Sequence, residues 1–137
     1  MNLFLLKEGK TFTLYSISTG EESDVRESLK NLRQGNPNEF ERIKARIDHL
    51  SDHGPIHDKT KYRDVGKGLY EIKTKKGSRV LFFYDEFSRG VIICSHCFKK
   101  DKKKKQSKEI ELGRKAMNNF AMSRKIGAIK RSEEDTS

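Results

Sequence analysis

The apolar residues of this sequence change their spacing once, near the middle of the chain, and this change limits the folds available to it. Before residue 51 they recur every three or four positions, at Val25, Leu29, Leu32, Phe40, Ile43, Ile47 and Leu50. After residue 67 they alternate in three runs, at residues 68–74, 78–85 and 90–98. The first spacing is typical of amphipathic helices and the second of half-buried strands. The sequence therefore predicts an α+β protein in which two helices precede most of the sheet.

Polar residues mark the boundaries of the two early helices. The first helix is predicted to begin at Asp24. Asn36 can cap the second helix, Pro37 suits its first position, and Glu39 stands at the capping-box position. The second helix is predicted to end at "DHGP", residues 52–55. Because so few residues connect the two helices, we expect an antiparallel helix hairpin.

One strand precedes this helix hairpin, and one helix follows the three later strands. Residues 12–17 alternate as a strand, and residues 107–120 place Ile110, Gly113, Met117 and Phe120 on one helical stripe. We expect a small antiparallel sheet, made of the N-terminal strand and a three-stranded meander, packed against the helix hairpin, with a C-terminal helix. A single domain would span residues 1–121, with residues 1–10 as an N-terminal extension. Residues 122–137 are expected to form a C-terminal tail that is partly disordered.

Positive charge is concentrated in the second half of the chain. The 137 residues have a formal net charge of +10, but residues 59–131 contain 22 Lys and Arg against 7 Asp and Glu. This clustering favours a surface that binds a polyanion, with nucleic acid as the first candidate. A solvated basic face without a specific partner is the alternative. Two cysteines and the lack of a long apolar segment indicate a reduced, cytoplasmic protein.

The loop between the first two strands of the meander determines their register. If residues 75–77 form a three-residue loop that ends on a left-handed glycine, Lys73 lies opposite Arg79 and Ile72 lies opposite Val80. One face then carries Tyr70, Ile72, Val80, Phe82 and Tyr84, and the other carries Glu71, Lys73, Arg79, Leu81 and Phe83. A two-residue loop would divide the apolar set between the faces, so the sequence favours the three-residue loop.

This register places two cations, Lys73 and Arg79, side by side on a face that we expect to be open. Like charges directly opposite each other destabilise a strand pair unless an anion lies between them. The pair therefore predicts a phosphate site. The alternative is that Glu71, on the same face, neutralises both cations.

The stretch "GLYEIKTKKGSRVLFFYDEFSRGVIICSHCFKKDKKKKQSKEIELGRKAM", residues 68–117, resembles the RelE/ParE toxin superfamily, and within it the phage-related HigB-like branch. The order and spacing of "GLYEIK", "SRVLFF", "HCFKK" and "EIELG" carry the resemblance, which extends over residues 11–120. It implies a RelE-like fold and a toxin of a type II toxin–antitoxin system. The implied partners are a HigA-like helix-turn-helix antitoxin, the ribosome and messenger RNA, with no membrane.

The same resemblance implies a ribosome-dependent endoribonuclease that cleaves messenger RNA without a metal or another cofactor. In this reaction the ribose 2′-hydroxyl attacks the adjacent phosphate, which requires a base, an acid and cations. By resemblance, Arg79 clamps the scissile phosphate, and Lys73 and Lys100 are further catalytic cations. Glu71 stands where some relatives have a lysine that transfers protons. His96 is therefore the candidate general base, since a histidine can exchange a proton near neutral pH.

The segment "HCFKKDKKKK", residues 96–105, follows the last strand of the meander. A tract this basic, at the mouth of the predicted site, is expected to bind an RNA backbone without reading its sequence. Together with the hairpin loop, it supplies the predicted RNA-binding residues Lys75, Lys76, Lys99, Lys102, Lys103, Lys104 and Lys105. A solvated linker is the alternative.

The pair Cys94 and Cys97 raises the question of a metal or redox site. Because the two residues are three positions apart on a predicted strand, their thiols should point to opposite faces of the sheet. The sequence has no second pair of cysteines to complete a zinc site. We therefore expect no metal.

Two other functions fit the same residues. A ParE-like toxin would inhibit DNA gyrase by binding alone, and a catalytically inactive relative would bind nucleic acid only. Glu71 and Asp101 depart from the pattern of the RNA-cleaving toxins, so both alternatives stay open.

Overall fold

A computed structural model of the chain describes residues 1–18, 25–55, 57–100 and 107–132. The strands within these ranges are β1 (Asn2–Glu8), β2 (Thr13–Ser18), β3 (Tyr62–Gly66), β4 (Leu69–Lys73), β5 (Ser78–Tyr84), β6 (Val91–Lys99) and β7 (Lys130–Ser132). The helices are α1 (Val25–Gly35), α2 (Pro37–His53) and α3 (Ser107–Lys125). Over the same ranges, no helix has the length and hydrophobicity that crossing a membrane requires.

All the strands belong to one mixed sheet, in the order β3-β4-β5-β6-β2-β1-β7. Strands β3 to β6 form an antiparallel meander, and β2 joins it through a parallel pairing with β6. The α+β class and the predicted meander are confirmed. The small antiparallel sheet that we expected is wrong, because the observed sheet is larger and contains two parallel pairings.

Three strands, β1, β3 and β7, were not predicted from the sequence. β1 lies within residues 1–10, expected as an extension, and β7 lies within residues 122–137, expected as a tail. β7 has the polar sequence "KRS" and is added to the sheet edge by backbone pairing with β1. α3 also continues past residue 121, to Lys125. Residues 133–137 lie outside the described part of the chain.

The helix hairpin forms with the boundaries that its polar residues indicate. The Asn36 side chain accepts a hydrogen bond from the backbone N–H of Glu39 at 3.2 Å, and Pro37 begins α2. At the other end, the N–H of Gly54 donates to the carbonyl of Leu50 at 2.9 Å. The predicted capping residue and helix end are confirmed. Asp24, the predicted start of α1, lies outside the described residues.

The helix hairpin covers one face of the sheet. Its core contains Val25, Ile43, Ile47 and Leu50 from the helices, packed on Ile72, Val80 and Phe82 from the meander. Tyr70 and Tyr84 pack at the margin of this core. The apolar face that the hairpin register predicted is thus confirmed.

Helix α3 covers the opposite face, so our prediction that this face is open is wrong. The predicted stripe of α3 forms, because Gly113 and Phe120 are buried and Ile110 and Met117 pack beside them. It packs on a second core that includes Leu3, Leu69, Leu81, Phe83 and Ile93. The stripe can be buried only on this side of the sheet, since α1 and α2 occupy the other side.

Gly113 lets α3 approach the sheet closely. A Cβ atom at this position would lie 2.9 Å from Leu81 Cδ1 and 3.1 Å from Leu69 Cδ2. We expect Gly113→Val to lower the free energy of unfolding by about 1–3 kcal/mol through overpacking, as measured by urea denaturation. Asn118→Val, at an exposed position of the same helix, is the control and should change it far less. Equal effects of the two substitutions would contradict the close packing.

Candidate functional site

The turn between β4 and β5 brings together lysines from two parts of the chain. The predicted register is confirmed, with Lys73 opposite Arg79, and Gly77 has a φ of +108°. The backbone N–H of Lys100 donates to the carbonyl of Gly77 at 2.7 Å, which ties the end of β6 to this turn. We call the resulting cluster the basic corner; it consists of Lys73, Lys75, Lys76, Lys99 and Lys100.

Arg79 lies beneath the basic corner and is not on an open surface. Only 7% of this residue is exposed. Its Nη1 donates to the carbonyls of Thr74 and Ser78 at 2.8 and 2.9 Å, and its Nε lies 3.4 Å from Glu71 Oε1. Burial lowers the pKa of Arg79, and the Glu71 carboxylate opposes that shift. The predicted exposure of Arg79 is therefore wrong, because the β4–β5 turn and Glu71 enclose its guanidinium group.

Glu71 is fully buried and pairs with two arginines. Its Oε1 lies 3.4 Å from Arg79 Nε and 3.6 Å from Arg63 Nε. Arg63 did not emerge from the sequence because β3 was not predicted. The signal that could have found β3 is the "GKG" turn at residues 66–68, where all three residues have positive φ. The alternative in which Glu71 neutralises its neighbours thus holds for Arg79.

Lys73 is held in place by hydrogen bonds of its ammonium group and its backbone carbonyl, and other cations lie near it. Its Nζ donates to the carbonyl of Lys59 at 3.1 Å. Its own carbonyl accepts from Arg46 Nε at 3.2 Å. Partial burial lowers the pKa of Lys73, and the charges of Arg79 and Lys100 lower it further. Lys73 therefore lies within electrostatic range of both Arg79, its cross-strand partner, and Lys100.

His96 is directed towards α3 rather than into the basic corner. A register shift in the β5–β6 pairing creates a bulge that contains Ser95 and His96. His96 Nε2 lies 2.8 Å from Glu109 Oε2, and its Nδ1 lies 2.9 Å from Ser95 Oγ. The imidazole stacks on Phe98, the cross-strand partner of Arg79, with ring centroids 5.4 Å apart. His96 thus contacts Phe98, the neighbour of Arg79, and not Arg79 itself. Its carboxylate partner, Glu109, was not indicated by the sequence.

The same bulge overturns the predicted orientation of the cysteines. Because two residues of β6 lie opposite one residue of β5, Cys94 and Cys97 both pack on the core beneath the helix hairpin. Burial raises the pKa of Cys94 to about 12 and that of Cys97 to about 11. Both are free thiols, and they are protonated at neutral pH. In the described part of the chain, no three His, Cys, Asp or Glu side chains could hold a metal ion.

Most of the predicted lysine tract lies outside the described residues, namely Asp101, Lys102, Lys103, Lys104 and Lys105. The described residues on either side of it are Lys100, which belongs to the basic corner, and Ser107, the first residue of α3. Lys100 is bonded to the β4–β5 turn, and Ser107 begins the helical turn that carries Glu109 to His96.

A family model described as phage-derived, Gp49-like protein matches residues 20–118. The chain belongs to the Gp49-like family. This family is phage-derived and toxin-like, which is compatible with a toxin of a toxin–antitoxin system. The residues that match the Gp49-like family include α1, α2, the meander, the whole basic corner, and α3 as far as Asn118. No curated protein matches the Gp49-like chain.

Proposed function

We propose that this chain is the toxin of a type II toxin–antitoxin pair and cleaves messenger RNA on the ribosome. The observation that carries the proposal is the convergence of Lys73, Arg79 and Lys100 at the β4–β5 turn of a toxin-like family member. A HigA-like antitoxin would neutralise it. The finer assignment to the HigB-like branch of the RelE superfamily belongs to this proposal.

The proposed reaction needs positive charge where the phosphate develops negative charge. Lys73 and Lys100 supply exposed or partly exposed ammonium groups beside the turn. Arg79 has one nitrogen bound to carbonyls, but its guanidinium fork has further donors. Cations fixed in advance stabilise such a transition state without reorganising during the reaction. No metal ion is required for this role.

Two groups can transfer the protons of the proposed reaction. The lowered pKa of Lys73 brings its ammonium closer to the range in which a lysine can act as a general acid. His96 is oriented by the 2.8 Å contact of its Nε2 with Glu109 Oε2, and an imidazole is the side chain most often used as a general base. We assign His96 as general base and Lys73 as general acid, with Glu109 as a positioning residue.

Induced expression of the intact chain is expected to arrest bacterial growth, and co-expression of an antitoxin encoded beside it should restore growth. Mapping of messenger RNA 5′ ends should then show new ends in translated messages only. A matched message without a start codon is the control, since ribosome-dependent cleavage cannot occur on it. Normal growth at high expression of the folded chain would contradict the toxin assignment.

Inhibition of DNA gyrase by binding is the second candidate. It is favoured by the engagement of Arg79 with Glu71 and two backbone carbonyls, which is the geometry of a structural ion pair. The 5′-end experiment separates the candidates, because DNA damage with intact messages would indicate gyrase. Growth with intact messages and undamaged DNA would indicate a nucleic-acid-binding relative that has no activity.

A further inference from the structure

An open cleft lies beside the basic corner, between the α1–α2 connection and the β4–β5 turn. Its volume is about 740 Å³, which is in the range of small-molecule sites. Polar side chains on its two sides include Ser28, Asn31, Asn36, Asn38, Lys76 and Lys99. Glu39 also lines the cleft, although only 4% of this residue is exposed.

The carboxylate of Glu39 lacks the donors that a buried acceptor needs. Among the described residues, neither of its oxygens has a hydrogen-bond partner. In a complete capping box it would accept from the N–H of Asn36, but that N–H donates to the carbonyl of Leu32 at 2.7 Å. Arg42 Nη1 forms an ion pair with Oε2 at 3.7 Å, a distance that is too long for a hydrogen bond. A buried acceptor left in this state calls for a ligand that donates to it.

We propose that the cleft binds a guanine base of single-stranded RNA and that Glu39 is the residue that selects it. The Watson–Crick edge of guanine presents two adjacent donors, N1–H and the 2-amino group, which match the two oxygens of one carboxylate. Adenine, cytosine and uracil each place an acceptor next to their donor on this edge, so a carboxylate disfavours them. Proteins commonly read single-stranded RNA on this edge.

The position of the cleft fits a nucleotide whose phosphate lies on the basic corner. Lys76 and Lys99 line the cleft and also belong to the basic corner. The base can reach Glu39 once Arg42 moves aside, which its half-exposed side chain permits. The inference therefore rests on the proposed function for its RNA substrate, and it adds a base preference to that function.

Binding of short RNAs to the purified full chain tests the inference without relying on cleavage. The probes are the ribotrinucleotides UGU, UIU, UAU and UCU, where I is inosine, which lacks only the 2-amino group of guanine. We expect UGU to bind about tenfold more tightly than the other three, as measured by calorimetry. Glu39→Gln should remove this preference, whereas Glu41→Gln, exposed on the same helix, should retain it.

Each outcome separates the inference from the proposed function. Guanine-dependent binding without any RNA cleavage would leave the inference standing and overturn the proposed function. RNA cleavage without a preference for guanine at a fixed distance from the cut would support the proposed function and overturn the inference. Equal binding of UGU and UAU by the unmodified chain would overturn the inference, whether or not the Glu39 variant folds. It would point instead to an arginine of a protein partner as the donor to Glu39.

Discussion

Arg79→Ala is expected to lower the free energy of unfolding by about 3 kcal/mol, the lower end of the range for breaking a buried ion pair. The substitution removes the more buried of the two arginines that lie beside the fully buried Glu71 carboxylate, since the Arg79 side chain is 8% exposed and that of Arg63 is 40% exposed. It also removes the donor to the carbonyls of Thr74 and Ser78. Urea denaturation followed by circular dichroism measures the loss.

Arg63→Ala is the matched control, since Arg63 lies 3.6 Å from the same Glu71 oxygen but has a side chain that is 40% exposed. Solvent reaches part of the Arg63 side chain and screens its interaction with Glu71, so this loss should be smaller than the loss from Arg79→Ala. Equal losses from the two alanine variants would mean that the burial of Arg79 does not govern the strength of its ion pair.

A double substitution then separates the stability of the fold from the action on RNA. Replacing a buried ion pair by apolar residues of similar volume is often neutral or stabilising, so Arg79→Met with Glu71→Leu should recover most of the lost stability. If Arg79 also clamps the scissile phosphate, the folded double variant should not arrest growth. Growth arrest by this variant would show that Arg79 has a structural role only.

Replacing Lys102, Lys103, Lys104 and Lys105 by glutamine is expected to weaken ribosome binding and to flatten its salt dependence. Each contact with a phosphate of single-stranded RNA contributes about −0.7 to the slope of log K against log salt. If all four lysines make such contacts, the slope should change by roughly 2 to 3 units. If the four side chains are exposed, the substitutions should leave the free energy of unfolding within about 0.5 kcal/mol.

The control carries the same change in charge on another surface, at Lys7, Lys10, Lys30 and Lys44. These lysines are outside the basic corner and should alter the slope far less. Lys100→Ala should reduce cleavage more than binding, as expected for a group that acts mainly in the transition state. An unchanged slope in the tract variant, with growth arrest intact, would make the tract a solvated linker.

The sequence predicted the parts of the fold that depend on local patterns. Asn36 and Pro37 determine where α2 begins, and Gly77 together with the apolar alternation determines the β4–β5 register. These features involve residues close together in the chain, so their spacing is visible without knowledge of the tertiary structure. The cluster of Lys73 and Arg79 followed directly from that register.

The remaining features depend on contacts between distant residues. The face of the sheet that carries Arg79 is covered by α3, and the burial of Gly113 against Leu81 does not show in the spacing of either segment. The bulge at Ser95 and His96 changes which face Cys97 occupies, although its sequence has no glycine to announce it. The lack of a hydrogen-bond donor to the Glu39 carboxylate was hidden, because its position in a capping box predicts a hydrogen bond from the N–H of Asn36 that it does not accept.

The parallel pairing of β2 with β6 has a consequence for how the chain folds during synthesis. Thr13 pairs with Val91 and Ser16 pairs with Cys94, so the junction joins segments almost eighty residues apart. The β1–β2 hairpin and the meander can each form from neighbouring residues, but closing so long a loop carries an entropic cost that slows their union. Until β6 has left the ribosome, the edge of β2 has no strand to pair with. The nascent chain therefore has an aggregation-prone edge throughout the synthesis of α1, α2 and most of the meander.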